Sequence, residues 1–327
     1  MMTEAYQLTL LHEYGPAAHY FPVIERIHAL VAERAEELSV PPFSLTVVLS
    51  CNMSASIARY GEPGFHAERL GGMVAGKTLP QVRDYSNTVV ILDAAADMDV
   101  VDIVHLATHE YGHVLQGRLR TAAGTRPARP TRDQTPEETA AILAFEAADE
   151  FRCDLLSNVV LNTVTLDVDG SRRPMHLGDA YGDGYFDALA GILDSRVHPG
   201  WPDLVEAYRN WKIDLGAMFG KLVNEADQVL TLIGHAEAVA LASGQPPTLD
   251  RFRAHPAVER YLAPMWTPIR RVLEGAVMIP PLAEFGDVDR ALQDSGRGIV
   301  EAWGRLGIQG RLTEDHQVYL DVGDPVE

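Results

Sequence analysis

The chain has 327 residues, of which 46% are apolar and 22% are charged, so its composition is that of an ordinary folded protein and excludes general disorder. Its formal net charge of -19 at pH 7 produces an electrostatic field that repels phosphate backbones. Composition and charge together predict a folded protein that binds no nucleic acid.

The cysteine content and the first residues indicate the cellular compartment of the protein. Its two cysteines, Cys51 and Cys153, are too few for a disulfide framework and favour a reducing compartment. The opening residues, MMTEAYQLTLLHEYG, lack the basic start and apolar run of a secretion signal. No stretch approaches the roughly eighteen unbroken apolar residues of a membrane span. We therefore expect a cytoplasmic protein with no membrane partner, and the oligomeric state stays open.

The first third of the chain predicts one helix followed by three strands. Residues 21–38 place apolar side chains at helical spacing and are followed by two prolines at 41 and 42. The runs 44–50, 70–79 and 87–93 have strand composition and are separated by Gly, Pro and Asn turn residues. This order indicates an amphipathic helix and then a small sheet.

After Asp99 the pattern becomes that of a long helix, VVDIVHLATHEYGHVLQGRL, with no proline before 127. Residues 117–135 then predict a loop, after which Thr135 is expected to be the N-cap and Pro136 the first residue of a second long helix. The loop holds the densest group of basic residues, for which we expect a solvated segment and not a nucleic-acid surface. These arginines are Arg118, Arg120, Arg126, Arg129 and Arg132.

Residues 109–113, HEYGH, carry the clearest chemical signal in the sequence. Residues four apart in a helix share one face, so His109 and His113 can bind one ion. Zinc suits this pair because imidazole nitrogens bind it at about 2.0–2.1 Å, and a catalytic site adds a third protein ligand and an open position for water. Glu110 is turned about 100° from the ligand direction, where it can act on that water as a general base.

Two nearby histidines receive other interpretations. The letters HEYG also occur at 12–15, but Pro16 stands where the second histidine would be, and proline disrupts a helix at that position. We therefore interpret His12 and Glu13 as incidental residues of a loop or a helix start. His105 lies one turn before His109 and is expected to pack or to hydrogen-bond, not to bind metal.

The third ligand must come from elsewhere, and its identity separates the families with this motif. Gln116 and Leu119 stand where a metzincin has glycine and histidine, which excludes that class. Cys51 lacks the glycine-cysteine surroundings of a deformylase-like site. The second long helix offers five donors, and spacing alone leaves all of them open: Glu146, Asp149, Glu150, Cys153 and Asp154.

Glu150 and Asp154 form an E-x-x-x-D pair one helical turn apart within DEFRCDLL. Together with HEYGH, this stretch resembles the gluzincin metallopeptidases. In that family a glutamate from a downstream helix joins HExxH and is commonly followed four residues later by an acid. The resemblance spans roughly residues 44–160 of this sequence.

The resemblance implies a role for each of these residues. It implies one zinc ion per chain, with Glu110 as the general base and Asp154 as the hydrogen-bond partner of a ligand histidine. Glu146 remains the alternative to Glu150 because it lies one turn earlier. The implied zinc ligands are His109, His113 and Glu150.

The resemblance implies a zincin-like part over 1–170, with a small mixed sheet and an active-site helix, and the expected fold class is α+β. The pattern of the remaining sequence predicts a mostly helical part over 171–327, which we expect to form the far side of the cleft. The boundary is soft, and a single domain is the alternative. An edge strand, for which 70–79 is the candidate, would pair with an extended substrate. The family commonly stabilises the oxyanion with a Tyr or His, for which the candidates are His176, Tyr181, Tyr185 and His235. We expect the glycine-rich stretch 178–187 to be a surface turn, with a loop near a cleft as the alternative.

The expected function is zinc-dependent hydrolysis of peptide bonds in a peptide or protein substrate, with Glu110 as general base. Two imidazoles and one carboxylate leave the zinc site a net charge near +1, which can lower the pKa of its water towards about 7. One alternative is a metal-responsive regulatory or binding module that binds zinc at this site but catalyses no reaction. Another is an accidental motif in a helical scaffold protein.

Overall fold

The computed structural model describes residues 5–13, 15–61, 68–69, 72–73, 75–94, 98–126, 134–168, 171–312 and 318–324. The chain folds into two compact units, each assembled from several stretches of sequence. The first unit comprises residues 1–126, 152–182 and 278–286, and the second comprises 127–151, 183–277 and 287–327.

The first unit contains the sheet and the helices that cover it. Its strands are β1 (Tyr6–His12), β2 (Phe43–Ser50), β3 (Glu68–Arg69), β4 (Gly72–Met73), β5 (Gly76–Pro80), β6 (Asn87–Asp93), β7 (Thr165–Val168) and β8 (Ser171–Pro174). Its helices are a 3-10 helix (Gly15–Tyr20), α1 (Phe21–Glu37), α2 (Met53–Arg59), α3 (Val100–Ala123), residues 152–161 of α4 (Pro136–Leu161), and α5 (Leu177–Tyr181). The predicted helix at 21–38 and the strands at 44–50 and 87–93 are confirmed.

Four strands of this unit form a mixed sheet in the order β1-β2-β6-β5. The first three strands are parallel, and β5 runs antiparallel to β6. Among the described strands β5 is therefore an edge strand, as predicted, although it starts at Gly76 and the residues 70, 71 and 74 lie outside the described part of the chain. The small mixed sheet and the helical remainder confirm the α+β class.

The two faces of this sheet are covered by different helices. Leu79 of β5 belongs to a buried apolar cluster with Met53 and Ile57 of α2. Side chains alternate along a strand, so Gly76 and Thr78 face the other way, towards α3, which packs against β5 and β6. Strand β5 thus contributes Leu79 to the apolar core on one face and packs against α3 on the other.

Helix α3 begins where the sequence predicts and ends later. The Asp99 side chain accepts hydrogen bonds from the N–H groups of Val101 and Asp102, and the Asp102 carboxylate accepts one from Asp99 N, which completes a capping box. The helix ends at Gly124, whose φ of 68° is left-handed. The predicted loop is wrong for residues 117–123, because the buried Leu119 continues the apolar face of the helix.

Two arginines expected in a solvated loop are buried on α3. Arg118 Nη1 donates to Asp84 O at 2.8 Å and to its carboxylate at 3.0 Å, while Nη2 donates to Pro42 O at 2.8 Å. These acceptors compensate the burial of a guanidinium group. Arg120 is also buried, with its guanidinium 5.7 Å from the centroid of the Phe285 ring. Two of the other arginines, Arg129 and Arg132, lie outside the described residues.

Helix α4 starts at the predicted cap. Thr135 Oγ1 accepts from Glu138 N at 3.1 Å, and Glu138 Oε2 accepts from Thr135 N at 3.0 Å. Pro136 is the first residue of the helix, where its missing N–H costs nothing. Both expectations for this helix start are confirmed.

The second unit is mostly helical. Besides residues 136–151 of α4 it contains α6 (Gly184–Ile192), α7 (Gly200–Arg209), α8 (Leu215–Ala242), α9 (Thr248–Arg251), α10 (Ala263–Gly275), residues 287–295 of α11 (Leu282–Ser295), α12 (Arg297–Arg305), β9 (Ile308–Leu312), β10 (Val318–Val322), and two π-helices at Leu193–Val197 and Val258–Leu262. The surface turn expected over 178–187 is limited to residues 182 and 183, because the rest of this stretch belongs to α5 and α6. Within the described ranges, no helix combines the length and apolarity needed to cross a membrane.

Candidate metal centre

Helix α3 brings the two histidines of HEYGH together. The whole motif lies inside this helix, which confirms the expected setting. His109 Nε2 and His113 Nε2 are 3.1 Å apart. Two nitrogens that bind one tetrahedral zinc at about 2.05 Å are about 3.3 Å apart. The pair therefore has the separation that a shared ion requires.

Asp154 fixes the orientation of the first histidine. Its Oδ1 is 2.7 Å from His109 Nδ1, and the aspartate has no solvent exposure. A carboxylate can only accept, so Nδ1 carries the hydrogen and Nε2 of the neutral ring keeps its lone pair. This is the hydrogen bond that the E-x-x-x-D pair led us to expect for Asp154, and such a partner also makes the ring more basic.

His105 forms a second buried contact between α3 and α4. Its Nδ1 is 2.8 Å from Ser157 Oγ, and its Nε2 is 3.8 Å from Asp154 Oδ1. The expectation that His105 hydrogen-bonds is confirmed. Its ring also lies 4.5 Å from that of Tyr181, centroid to centroid. Burial, and then the nearby acids, raise the pKa of Tyr181, so its hydroxyl stays protonated at neutral pH.

Cys153, one of the five donors that spacing left open, lies beside the histidine pair. One potential ligand atom each from His109, His113 and Cys153 lie within 4.8 Å of one another, and the same holds for His105, His109 and Asp154. The thiol is fully buried and accepts a hydrogen bond from Gln116 Nε2 at 3.3 Å. The first unit thus contains buried groups close enough to hold a metal ion.

Glu110 is buried against the edge strand. Thr78 Oγ1 donates at 2.6 Å to its Oε2 and lies 3.0 Å from its main-chain oxygen. A Cβ placed on Gly76 would lie 2.6 Å from Glu110 Oε1. Sequence reasoning missed both neighbours, because no local pattern links a strand residue to a helix residue 32 or more positions away.

In the second unit, Glu150 of α4 lies beside α8. Its Oε2 is 3.7 Å from His235 Nε2, and the His235 ring stacks on Tyr185 with centroids 5.1 Å apart and planes at 12°. Helix α8 approaches α4 closely at Gly234, where a Cβ would lie 2.6 Å from Ala147 O. Glu150 is partly buried, whereas the alternative ligand Glu146 is exposed.

The other candidates for oxyanion stabilisation have different surroundings. Tyr181 packs on His105 in the first unit. His176 precedes α5 as its N-cap, and its main-chain N–H donates to Asp179 Oδ2 at 3.0 Å. Of the four candidates, Tyr185 and His235 stack on each other, and His235 lies beside Glu150.

The early HEYG copy has a different structure and different contacts. His12 is the last residue of β1, so the expected loop or helix start is wrong for it. Glu13 accepts a hydrogen bond from Ser56 Oγ and one of 2.6 Å from Arg59 Nη1, both of which belong to α2. Ser56 Oγ is also 2.7 Å from Ser50 Oγ in β2. Glu13 therefore connects the end of β1 to α2.

Comparison with known proteins adds no assignment: no family model, no curated protein and no solved structure matches the chain. A functional inference for this protein therefore depends on the residues of the site and their chemistry.

Proposed function

We propose that the protein is a zinc-dependent metallopeptidase of the zincin type that hydrolyses peptide bonds, with His109, His113 and Glu150 as zinc ligands. The observation that supports this most directly is the 3.1 Å separation of the two Nε2 atoms, one of which belongs to a ring held by Asp154. Glu150 precedes Asp154 by one turn of α4, so both side chains project from the same face of that helix.

The donor set fits a zinc ion chemically. Imidazole and carboxylate are ordinary zinc ligands, and the hydrogen bond from His109 Nδ1 leaves Nε2 as the donor atom. Asp154 has no solvent exposure, and a cation held by its hydrogen-bonded histidine would compensate that buried charge. When bound, zinc would polarise a carbonyl group and make a water molecule more acidic.

Side chains of the protein would carry out the proton transfers of the hydrolysis and stabilise its intermediate. Glu110 takes the proton from the attacking water at its carboxylate and later delivers it to the departing amine. Asp154 keeps the His109 ring in one tautomer and one orientation. His235, beside Glu150 and stacked on Tyr185, donates a hydrogen bond to the oxyanion that develops on the substrate.

The edge strand β5 suits an extended peptide substrate. Its outer side has no partner among the described strands, so its main-chain N–H and C=O groups can pair with a substrate backbone. Recognition of this kind depends on the backbone of the substrate, which is common to all peptides. We therefore propose peptides or unfolded protein segments as the substrate class.

Metal analysis and peptide cleavage, measured on the wild type and on Glu110→Gln, test this function. We expect about one zinc per chain in both proteins. Cleavage of a mixed peptide library should fall by about 10²- to 10⁴-fold in the variant, which is the usual contribution of a general base. Full activity in Glu110→Gln would contradict the mechanism, and a purified wild type without zinc would contradict the site.

Cys153 favours one alternative, a metal-binding regulatory module without turnover. If its sulfur joined His109, His113 and Glu150, four protein ligands would close the coordination sphere, as in structural zinc sites. Cobalt(II) substitution separates the two functions. A sulfur-to-cobalt absorption band that disappears in Cys153→Ser, together with no cleavage by the wild type, would favour the module. Cleavage without such a band would favour the peptidase.

A further inference from the structure

Thr78 contacts Glu110 through a single hydroxyl group that has two acceptors within reach. Glu110 Oε2 is 2.6 Å from Thr78 Oγ1, and the main-chain oxygen of Glu110 is 3.0 Å from it. A hydroxyl has one hydrogen to donate and can also accept. A carboxylate is a stronger acceptor than a main-chain carbonyl, so the hydroxyl donates to Oε2.

Gly76 borders the other carboxylate oxygen from the same face of β5. A Cβ at this position would lie 2.6 Å from Glu110 Oε1 and 3.0 Å from its Cγ. The space that a side chain at 76 would occupy is therefore taken by the carboxylate. Two residues on the same face of β5 thus define where the Glu110 carboxylate lies. Thr78 does so through a hydrogen bond, and Gly76 does so by leaving space for the carboxylate.

We propose that Thr78 is a positioning residue, which holds the carboxylate of Glu110 against β5 through its hydroxyl group. This inference rests on the proposed function, in which Glu110 is the general base. The hydroxyl contacts Oε2 at 2.6 Å and lies 3.0 Å from the main-chain oxygen of the same residue, so it fixes the Glu110 side chain relative to its own backbone.

The place of Thr78 in the sheet couples this role to the substrate. The main chain of β5 would pair with the substrate backbone, while its Gly76 and Thr78 face α3 and the general base. One strand would then align the scissile bond and hold the group that activates the water. Valine has the shape of threonine but no hydroxyl, and serine keeps the hydroxyl, so the two replacements separate shape from hydrogen bonding.

The test compares Thr78→Val, Thr78→Ser and a matched control, Thr88→Val, in zinc-loaded protein. Thr88 in β6 donates its hydroxyl to Tyr85 O at 3.2 Å, so the control also removes a hydroxyl-to-carbonyl hydrogen bond from a neighbouring strand. We expect kcat of Thr78→Val to fall about ten- to a hundredfold, as for the loss of a hydrogen bond to a charged group. KM and zinc content should stay as in the wild type. Thr78→Ser should recover most of the kcat, and Thr88→Val should keep it.

A second variant, Gly76→Ala, reaches the same carboxylate without removing a hydrogen bond. The added methyl group would meet the flexible end of the Glu110 side chain, so the fold can accommodate it by moving the carboxylate. We expect a lower kcat with a melting temperature close to that of the wild type. A kcat that is unchanged in both Thr78→Val and Gly76→Ala would overturn the inference, and so would equal losses in Thr78→Val and Thr88→Val.

Crystal structures of the variants keep this inference separable from the proposed function. If the wild type binds zinc and cleaves nothing, the proposed function fails. The position of the Glu110 carboxylate in the Thr78 variants still shows whether Thr78 holds it in place. A carboxylate displaced in Thr78→Val and restored in Thr78→Ser supports the positioning role. A carboxylate in the wild-type position in Thr78→Val contradicts it.

Discussion

The letters HEYG occur twice in the first unit, and the two copies have different structures. His12 ends strand β1, and Glu13 connects that strand to α2 through Ser56 and Arg59. The second copy lies in the middle of α3, where Glu110 faces an edge strand and His109 faces Asp154. Identical residues therefore provide a structural link at one place and a candidate metal centre at the other.

The residue that follows explains much of this difference. Pro16 follows the first copy, and proline cannot continue a helix through that position. His113 follows the second copy and completes a pair one helical turn apart. The chemistry of the motif thus depends on its fifth residue, Pro16 or His113, and on whether the motif lies inside a helix. Changes of matching residues in the two copies test this dependence.

The largest contrast should come from the histidines. We expect His109→Ala or His113→Ala to lose the bound zinc and all measurable hydrolysis, because each change removes one of three proposed ligands. His12→Ala should keep one zinc per chain and wild-type activity. Metal content after dialysis, measured beside the cleavage rate, checks both. Zinc retained in His109→Ala would place the ion elsewhere in the protein.

A smaller effect is expected from the partner of the first histidine. Asp154→Asn should weaken zinc binding by about 10- to 100-fold, since loss of such a partner leaves the His109 ring poorly oriented. Competition with a chelator of known affinity measures this change. Glu146→Gln, an exposed position in the same helix, is the control and should bind zinc as the wild type does. A larger loss in the control would make Glu146 the better candidate for the third ligand.

The smallest effect concerns the first copy itself. Glu13→Gln should lower the free energy of unfolding by about 1 kcal/mol, because it weakens the hydrogen bonds to Ser56 and Arg59. Zinc content and hydrolysis should not change. Urea denaturation and a cleavage assay on the same preparation measure both quantities. A loss of activity without a loss of stability would show that the two copies are functionally linked.

Local signals in the sequence predict much of the first unit and the start of α4 in the second. Helix α1, strands β2 and β6, and the starts of α3 and α4 follow from apolar periodicity and from capping residues such as Asp99 and Thr135. The HEYGH pair and its place in a helix also follow from spacing alone. These features are predictable because the interactions that define them join residues that are close in sequence.

Features that depend on distant contacts were missed or misjudged. Helix α3 continues to Ala123 and buries Leu119, and the ring of Tyr85 packs so closely on it that its atoms would lie 2.7 Å from a Cβ at Gly117. Strand β1 was not expected, since none of its residues is buried and its pairing with β2 is long-range. The contacts of Glu110 with Thr78 belong to the same category.

Gly112, between the glutamate and the second histidine of HEYGH, has a consequence for protein engineering. A Cβ at this position would lie 2.7 Å from Cys153 Sγ and 3.1 Å from its Cα, so α3 and α4 touch there almost backbone to backbone. A position that the general pattern HExxH leaves variable is thus restricted in this scaffold. Replacing this stretch by another HExxH sequence with a bulkier residue at 112 would push α3 and α4 apart. The hydrogen bond between His109 Nδ1 and Asp154 would lengthen as a result.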